Sequence, residues 1–566
     1  MRSIRGGGPR VAGFATLLAV TLAALTPARA AFWDAPVKRA PVVTPLPQVA
    51  PVAPAPALAP RAAAPTPLIY AISDLHIGEG VRDDGKMSPL EDFTVDAEFE
   101  DFIDHAIGQR DARGADRAKL VLHGDVFDFL KIITPPKGAK FAGSQKARDA
   151  ADVAADERLA VLKMRRIVEA HPRVLRGLRT WMAAGNDLVI VAGNHDQELF
   201  YGRVRQVLRA ALGPEQKNLK FEPYLHLDGD VLIEHGQRYD PMNAVSHMLY
   251  PFSSMDADKR RLRPSVGNFV VVQLNNRFKE KVPELNYLSR GRAMMMAILR
   301  RAPKDLLAVV PFALRIAGLT GNKAPTHASR AIAQEHVRRL TTGPWIEEQR
   351  RTINATRAQR GQAPLSTADM RRLMLRWDGL SAKPYLETMN LGKNRFAGML
   401  RLLRPREFKK WIDATFGNTA PGALELAFSE MVNVHVQGHT HVAGIEDATV
   451  KKSWGREEKR GDGRRRWVVN TGAWIPHMEH GHPDARSFLT FLEVSREGGE
   501  TTPRLLRWDT KTRSMVAANG GSQPEERGRA SRPGRIAPVM GPEAARRNAQ
   551  SPTRVMARAS RVARQR

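Results

Sequence analysis

Five short runs of apolar residues in this chain each break directly into a turn carrying Asp, Asn or His. Leu68-Ile69-Tyr70-Ala71-Ile72 leads into Asp74-Leu75-His76, and Leu120-Val121-Leu122 leads into Gly124-Asp125-Val126-Phe127-Asp128. Leu188-Val189-Ile190-Val191 is followed by Gly193-Asn194-His195-Asp196, and Val231-Leu232-Ile233 by His235-Gly236. The Val-rich stretch resuming at Val432 ends in Gly438-His439-Thr440-His441. Such runs suit fully buried strands. Between them, Val95, Phe99, Phe102, Ile103 and Ile107 fall on one helical face. A second amphipathic stretch, Asp156 to Met182, carries Leu159, Leu162, Leu175, Leu178 and Met182 and is expected to bend at His171-Pro172. Strands alternating with helices predict an α/β core. In open α/β sheets ligands bind beyond the carboxyl ends of the strands, so the five turns are expected to converge on one crevice.

The chemistry follows from the residue types. The chain has no cysteine, which excludes disulfides, thiolate metal sites and a cysteine nucleophile. Carboxylates, imidazoles and an amide oxygen suit Mn, Fe, Zn or Mg rather than a soft-ligand ion. One carboxylate has two oxygens and can join two cations. Two ions roughly 3.5–4 Å apart polarise a phosphoryl group and activate a water for in-line attack. A lone Asp-x-His turn is commonly just a solvated loop; five such turns in order, each on a strand exit, point to a single two-metal site.

Asp-x-His, Gly-Asp-x-x-Asp, Gly-Asn-His-Asp, a single His after a strand and Gly-His-x-His together resemble the signature of the calcineurin-like metallophosphoesterases. The resemblance covers about 68–235 and resumes over about 432–508. It implies a four-layer αββα sandwich of two mixed sheets between helices. It also implies a first metal held by Asp74, His76, Asp125 and His441, and a second held by Asp125, Asn194, His235 and His439. His195 would then protonate the leaving oxygen or stabilise the phosphoryl charge, Asp196 could orient its ring, and Asp128 would hold a ligand loop from behind. Asp240 and Asn243, just beyond His235, are candidates to support that loop, and Val468-Val469-Asn470-Thr471-Gly472 resembles the strand and turn that close this core. The protein Ser/Thr phosphatase branch has Arg and Glu where this chain has Phe129 and Asp196, which argues against that branch. The motif style is nearer the UDP-2,3-diacylglucosamine diphosphatases, from which only the reaction class carries over.

The rest of the chain organises around this core. Residues 1–30 read as a secretory signal: Arg2, Arg5 and Arg10 precede an apolar stretch that ends near Ala28-Arg29-Ala30. A Pro/Ala-rich linker (31–67) leads to the first part of the core (68–240). A helical insertion (241–430) with 32 basic and 15 acidic residues separates it from the second part (431–513). A basic tail (514–566) follows, with no apolar periodicity and the composition of disorder. Insertion and tail together hold 25 of the 29 net positive charges, so the core is nearly balanced.

The expected function is hydrolysis of a phosphoester or pyrophosphate by a hydroxide held between two divalent ions, Mn first among the candidates, in an exported, periplasmic or secreted protein. The substrate would be a phosphorylated small molecule or a lipid-linked phosphate. The positive field suits anionic membrane or envelope contact and, more weakly, nucleic acid. The alternatives are a nuclease or cyclic-nucleotide phosphodiesterase, and a non-catalytic envelope-binding scaffold. Met294-Met295-Met296 and Leu306 to Leu319 could form a lid or membrane-facing surface, although methionines at helical spacing more commonly belong to a helical subdomain's own core. The His477, His480 and His482 cluster is a weaker metal candidate.

Overall fold

The structure is a computed structural model. It describes residues 67–141, 156–213, 216–222 and 224–240, most positions of 242–302 and 432–518, and 335, 338, 342–359 and 361–379. The expected signal, most of the linker, Met294–Met296, Leu306 to Leu319, His477 and His480 lie outside the described residues.

Two mixed sheets and their helices make a mixed α/β fold. In the first sheet β1 (Leu68–Ile72), β2 (Lys119–His123), β3 (Asp187–Val191) and β4 (Leu219–Glu222) run parallel and side by side. Helix α1 (Asp96–Ala112) links β1 to β2, and α2 (Glu157–Ala170) and α3 (Pro172–Ala183) link β2 to β3. Helix α4 (Gly202–Leu212) links β3 to β4. The second sheet orders β5 (His226–Asp228), β6 (Val231–Ile233), β7 (Val434–Gln437), β11 (Trp467–Asn470) and β8 (Gly444–Asp447), with β6, β7 and β11 parallel. Strands β9 (Val450–Ser453) and β10 (Arg456–Lys459) form a hairpin, and β12 (Met478–Glu479) pairs with β13 (His482–Pro483). The chain then returns to the first sheet through β14 (Thr490–Glu497), antiparallel to β1, followed by β15 (Glu500–Asp509) and β16 (Ser514–Ala517). The ordered core therefore reaches four residues into the segment that composition assigned to the tail. Cross-strand pairing of 514–517 with β15 outweighs the weak local signal there.

Strand periodicity decides which side chain faces which layer. Ile69, Ala71, Val121, Val189 and Val191 point one way and share an apolar cluster with Val231, Ile233, Val434, Val436 and Val469 of the second sheet. Leu68, Tyr70, Ile72, Leu120, Leu122 and Ile190 point the other way, against Phe99, Phe102 and Ile103 of α1 and Leu178 and Trp181 of α3. Burying each such side chain stabilises the fold by about 1.5–3 kcal/mol. In the insertion, α5 (Pro344–Gln359) and α6 (Thr367–Gly379) put Ile346, Ile353, Met370 and Met374 against Leu225, Leu227 and Leu232 near the second sheet. Helix α6 starts at a capping box: Ser366 Oγ accepts from Asp369 N at 3.2 Å, and Asp369 accepts from Ser366 N at 2.9 Å.

The predicted bend at His171-Pro172 is a break between two helices. Asp156 caps α2 by accepting from Leu159 N at 2.9 Å, and Pro172 occupies the first turn of α3, where a missing N–H does no harm. Helix α2 buries Ala160, Val161, Met164 and Ile167, while the expected Leu159 and Leu162 are half-buried. His171, at the break, puts Nδ1 2.9 Å from Asp96 and Nε2 3.5 Å from Glu91. Glu91 also accepts from the backbone of Gly78, Gly80 and Phe93, so this histidine ties the helix pair to the loop leaving β1. Burial works against the charged ring, but Asp96 and Glu91 more than offset it and raise its pKa to about 10.

Because the folded value lies above the ordinary value of about 6.5, this stabilisation is complete below about pH 6.5 and disappears as pH rises toward 10. His171→Gln is expected to lower stability by about 3 kcal/mol at pH 6, with the gap to the parent narrowing through that window. Urea unfolding at several pH values measures this, and a gap independent of pH would contradict the ion-pair account.

Candidate metal centre

Strands β1, β2 and β3 end side by side in one sheet and β6 and β7 in the other, and all five expected turns leave those ends. The loops after β1 and β2 stay in register beyond the sheet: Asp74 N bonds Gly124 O at 3.1 Å and His76 N bonds Asp125 O at 2.8 Å. Gly438 N bonds His235 O at 2.8 Å, which joins the turns after β7 and β6.

Close approach explains two of the turn glycines. A Cβ on Gly193 would lie 2.3 Å from Asp125 Oδ1, and one on Gly438 would lie 2.5 Å from Asp74 Oδ2. Any side chain at either position would push a carboxylate out of the crevice.

The backbone at the candidate ligands is itself strained. Seven described non-glycine residues have left-handed φ, and five of them are Asp74, His76, Asp125, His439 and His441. Each such residue costs about 1–2 kcal/mol. Strain of this kind persists where the surrounding structure over-determines it, and it clusters at functional sites.

Two groups of side chains each bring together three of the four residues of an expected ligand set, and a third group, holding His76 and Asp125, overlaps both. Ligand atoms of Asp74, His76 and His441 lie within 4.8 Å of one another, as do those of Asp125, His235 and His439, and those of His76, Asp125 and His195. Asp125 belongs to two groups, with Oδ2 3.2 Å from His235 Nε2 and 3.8 Å from His76 Nε2. Asn194 joins the second group, its Oδ1 3.2 Å from His235 Nε2. These buried His/Asp groups could hold a metal ion.

Several atoms fit that use. Asp74 Oδ1 is fully buried without a well-aligned hydrogen bond, and faces His441 Nε2 at 3.2 Å. His439 Nδ1 is also buried and unpartnered, while its Nε2 meets Asp240 at 3.0 Å. His76 Nε2 and His441 Nε2 face each other at 3.1 Å. Two nitrogens bound at right angles to one ion, each ~2.1 Å away, would stand ~3.0 Å apart.

The electrostatics point the same way. Burial alone would favour protonated acids, yet the imidazoles around them hold Asp74 below and Asp125 well below the ordinary carboxylate range. Burial pushes the His76 ring down to about 4, so it stays neutral as a ligand must. His235 goes the other way: burial lowers it, but Asp125 and Asp74 outweigh that and raise it to about 9. A proton on His235 balances the carboxylates beside it, a task that a divalent cation could also perform.

Behind the candidate ligands stand residues that fix their orientation. Asp128 accepts from His76 Nδ1 at 2.9 Å and His195 Nδ1 at 3.0 Å. Asn243 Nδ2 donates to Asp240 at 2.7 Å, and Asn194 Nδ2 lies 3.4 Å from Asn243 Oδ1, so Asp240 and Asn243 do back this part of the site. Thr471, on the turn after β11, meets Ser73 Oγ at 2.7 Å, and Asn470, the last residue of β11, donates to Gly438 O at 2.6 Å.

One expected role is corrected. Asp196 does not orient the His195 ring; it accepts from the backbone N–H groups of Gly193, Val126 and Phe127 and so braces two ligand turns. Burial and the nearby Asp125 raise its pKa to about 7. The carboxylate on His195 is Asp128, which accepts from the His76 ring as well and so does more than hold a loop. Lys131, which bonds Asp128, was not anticipated; a lysine one turn past an Asp carries no signal until its burial is known.

No protein-family model matches the chain, and no curated protein matches it either.

Asp125→Ala, which takes a carboxylate from two of these groups, should lower the Mn²⁺ the chain can bind to about half or less, and Gly193→Ala should weaken binding by about tenfold or more by displacing the same carboxylate. Calorimetric titration with elemental analysis measures both; full stoichiometry in Asp125→Ala would remove the shared-ligand assignment.

Proposed function

We propose that this chain is a two-metal phosphohydrolase of the calcineurin-like metallophosphoesterase type, cleaving a phosphoester or phosphoanhydride bond. The observation that carries the proposal is the position of Asp125, a buried carboxylate common to two His/Asp groups at the ends of parallel strands from both sheets. The layering supports it: helices α1–α4, two sheets with an apolar layer between them, then α5 and α6, the order of a four-layer αββα sandwich.

In this reading Asp74, His76, Asp125 and His441 hold one divalent ion, and Asp125, Asn194, His235 and His439 hold a second. Mn suits the oxygen and imidazole donors, and Fe, Zn or Mg also accept them. Two such ions, when bound, supply charge stabilisation at the phosphoryl group and an activated water. The chain's own residues supply geometry and a proton. His195 donates Nδ1–H to Asp128, which leaves Nε2 to meet the leaving oxygen. Burial lowers its pKa, but Asp128 and Asp125 outweigh that and raise it, so His195 keeps the proton a general acid needs. Tyr239 donates to Glu234 at 2.7 Å and Asp240 holds His439, so the turn after β6 is braced on both sides.

The substrate is proposed as a small-molecule or lipid-linked phosphate, met by an exported protein whose basic insertion and tail favour anionic surfaces. A scaffold without activity is disfavoured because every expected ligand residue is present in the sequence, and five of the seven sit in left-handed backbone that binding alone to an envelope surface does not need.

The full chain without its first thirty residues, supplied with Mn²⁺, should turn over a chromogenic phosphomonoester or phosphodiester, and the preferred ester separates phosphatase from phosphodiesterase. His195→Ala should cut turnover by about 10²–10⁴-fold while keeping both ions. Asn194→Ala should lose turnover together with one ion. Metal bound without turnover on any phosphate ester or anhydride would favour the scaffold.

A further inference from the structure

The charges behind the candidate ligands do not stop at Asp128. Its Oδ2 also meets Lys131 Nζ at 2.7 Å, and Lys131 meets Asp92 at 2.5 Å. The other oxygen of Asp92 pairs with Lys279 Nζ, which also donates to Leu90 O at 2.8 Å. None of the four charged side chains is more than 3% exposed. Lys279 lies at the end of the helical segment Asn276–Lys279, inside the long insertion and 187 positions from Asp92. The same segment is fastened beside the loop that carries Asp128: Asn276 Nδ2 donates to Leu130 O at 2.9 Å, and Val272 packs on Leu130.

The signs along this row alternate: Lys279 positive, Asp92 negative, Lys131 positive, Asp128 negative. Buried ions persist when each is paired on every side, and removing one partner leaves an uncompensated charge. Without the Lys279 ammonium, two carboxylates compete for Lys131. Drawn toward Asp92, Lys131 would release Asp128, the group that sets the ring orientation and tautomer of His76 and His195. Outer partners of metal-bound histidines are worth about 10–100-fold in metal affinity.

We propose that Lys279 is a positioning residue of the metal centre, keeping the row Asp92–Lys131–Asp128 in register so that docking of the insertion sets the orientation of His76 and His195. This rests on the two-metal reading above. The insertion is thereby part of the site's construction, and metal binding and insertion docking are linked reciprocally.

The test titrates the full chain with Mn²⁺ by calorimetry for the parent, Lys279→Arg, Lys279→Met and the double variant Asp92→Asn/Lys279→Met, with folding checked by thermal unfolding in chelator. Lys279→Met should weaken Mn²⁺ binding about tenfold, while Lys279→Arg stays within about threefold of the parent. The double variant leaves Lys131 with Asp128 alone and should recover most of the lost affinity. A purely structural lysine predicts no such recovery. Parent-like affinity in Lys279→Met, or a folded double variant that binds as weakly as the single one, would overturn the proposal. If Lys279→Met does not fold, the double variant decides against the parent: similar affinity supports the role and weakened affinity overturns it. A parent that binds no Mn²⁺ overturns the two-metal reading itself, before any variant is compared.

Discussion

The arrangement around the candidate site depends on one buried carboxylate. Asp125 sits at 2% exposure between His235 on one side and His76 on the other, in a left-handed backbone that no isolated loop would hold. A lone carboxylate in such a place would take up a proton; this one is held ionised by the imidazoles around it. Its Oδ1 accepts the backbone N–H of His195 at 2.8 Å, and its own carbonyl receives His76 N. The turns after β1, β2, β3 and β6 thus meet at one residue.

The surrounding structure pays for that meeting in strain and recovers it through buried partners. Asp196 takes the free N–H groups of two turns, Asp128 takes two imidazole protons, and Asp240 takes a third. Each would be costly to bury alone, and each is fully paired instead. The network also gives direction: a histidine that donates from one nitrogen offers the lone pair of the other to the crevice. The alternating row from Asp128 to Lys279 extends this logic away from the crevice and into the insertion.

Much of the core was legible. Fully apolar runs such as 68–72 leave few alternatives to a buried strand, and Pro172 had to interrupt a helix. Pattern was less informative where pairing is long-range. β14 joins β1 across more than four hundred residues, and β16 adds to the sheet from a segment whose composition reads as tail. Face assignment failed by part of a turn in α2, because burial there is decided by the neighbouring layers rather than by leucine content.

Sequence by itself determined the donor set: Asp, Asn and His after five apolar runs, with no sulfur anywhere in the chain. It also determined that the turns would be tight, because glycine recurs beside the donors. Only the tertiary structure decided who serves whom. Asp128 rather than Asp196 faces His195, and Lys131 and Lys279, anonymous in a chain with 88 basic residues, become part of one buried row. The physical reason is that donor type is a local property of the chain, whereas the pairing of buried charges depends on which segments the two sheets bring within about 3 Å of one another.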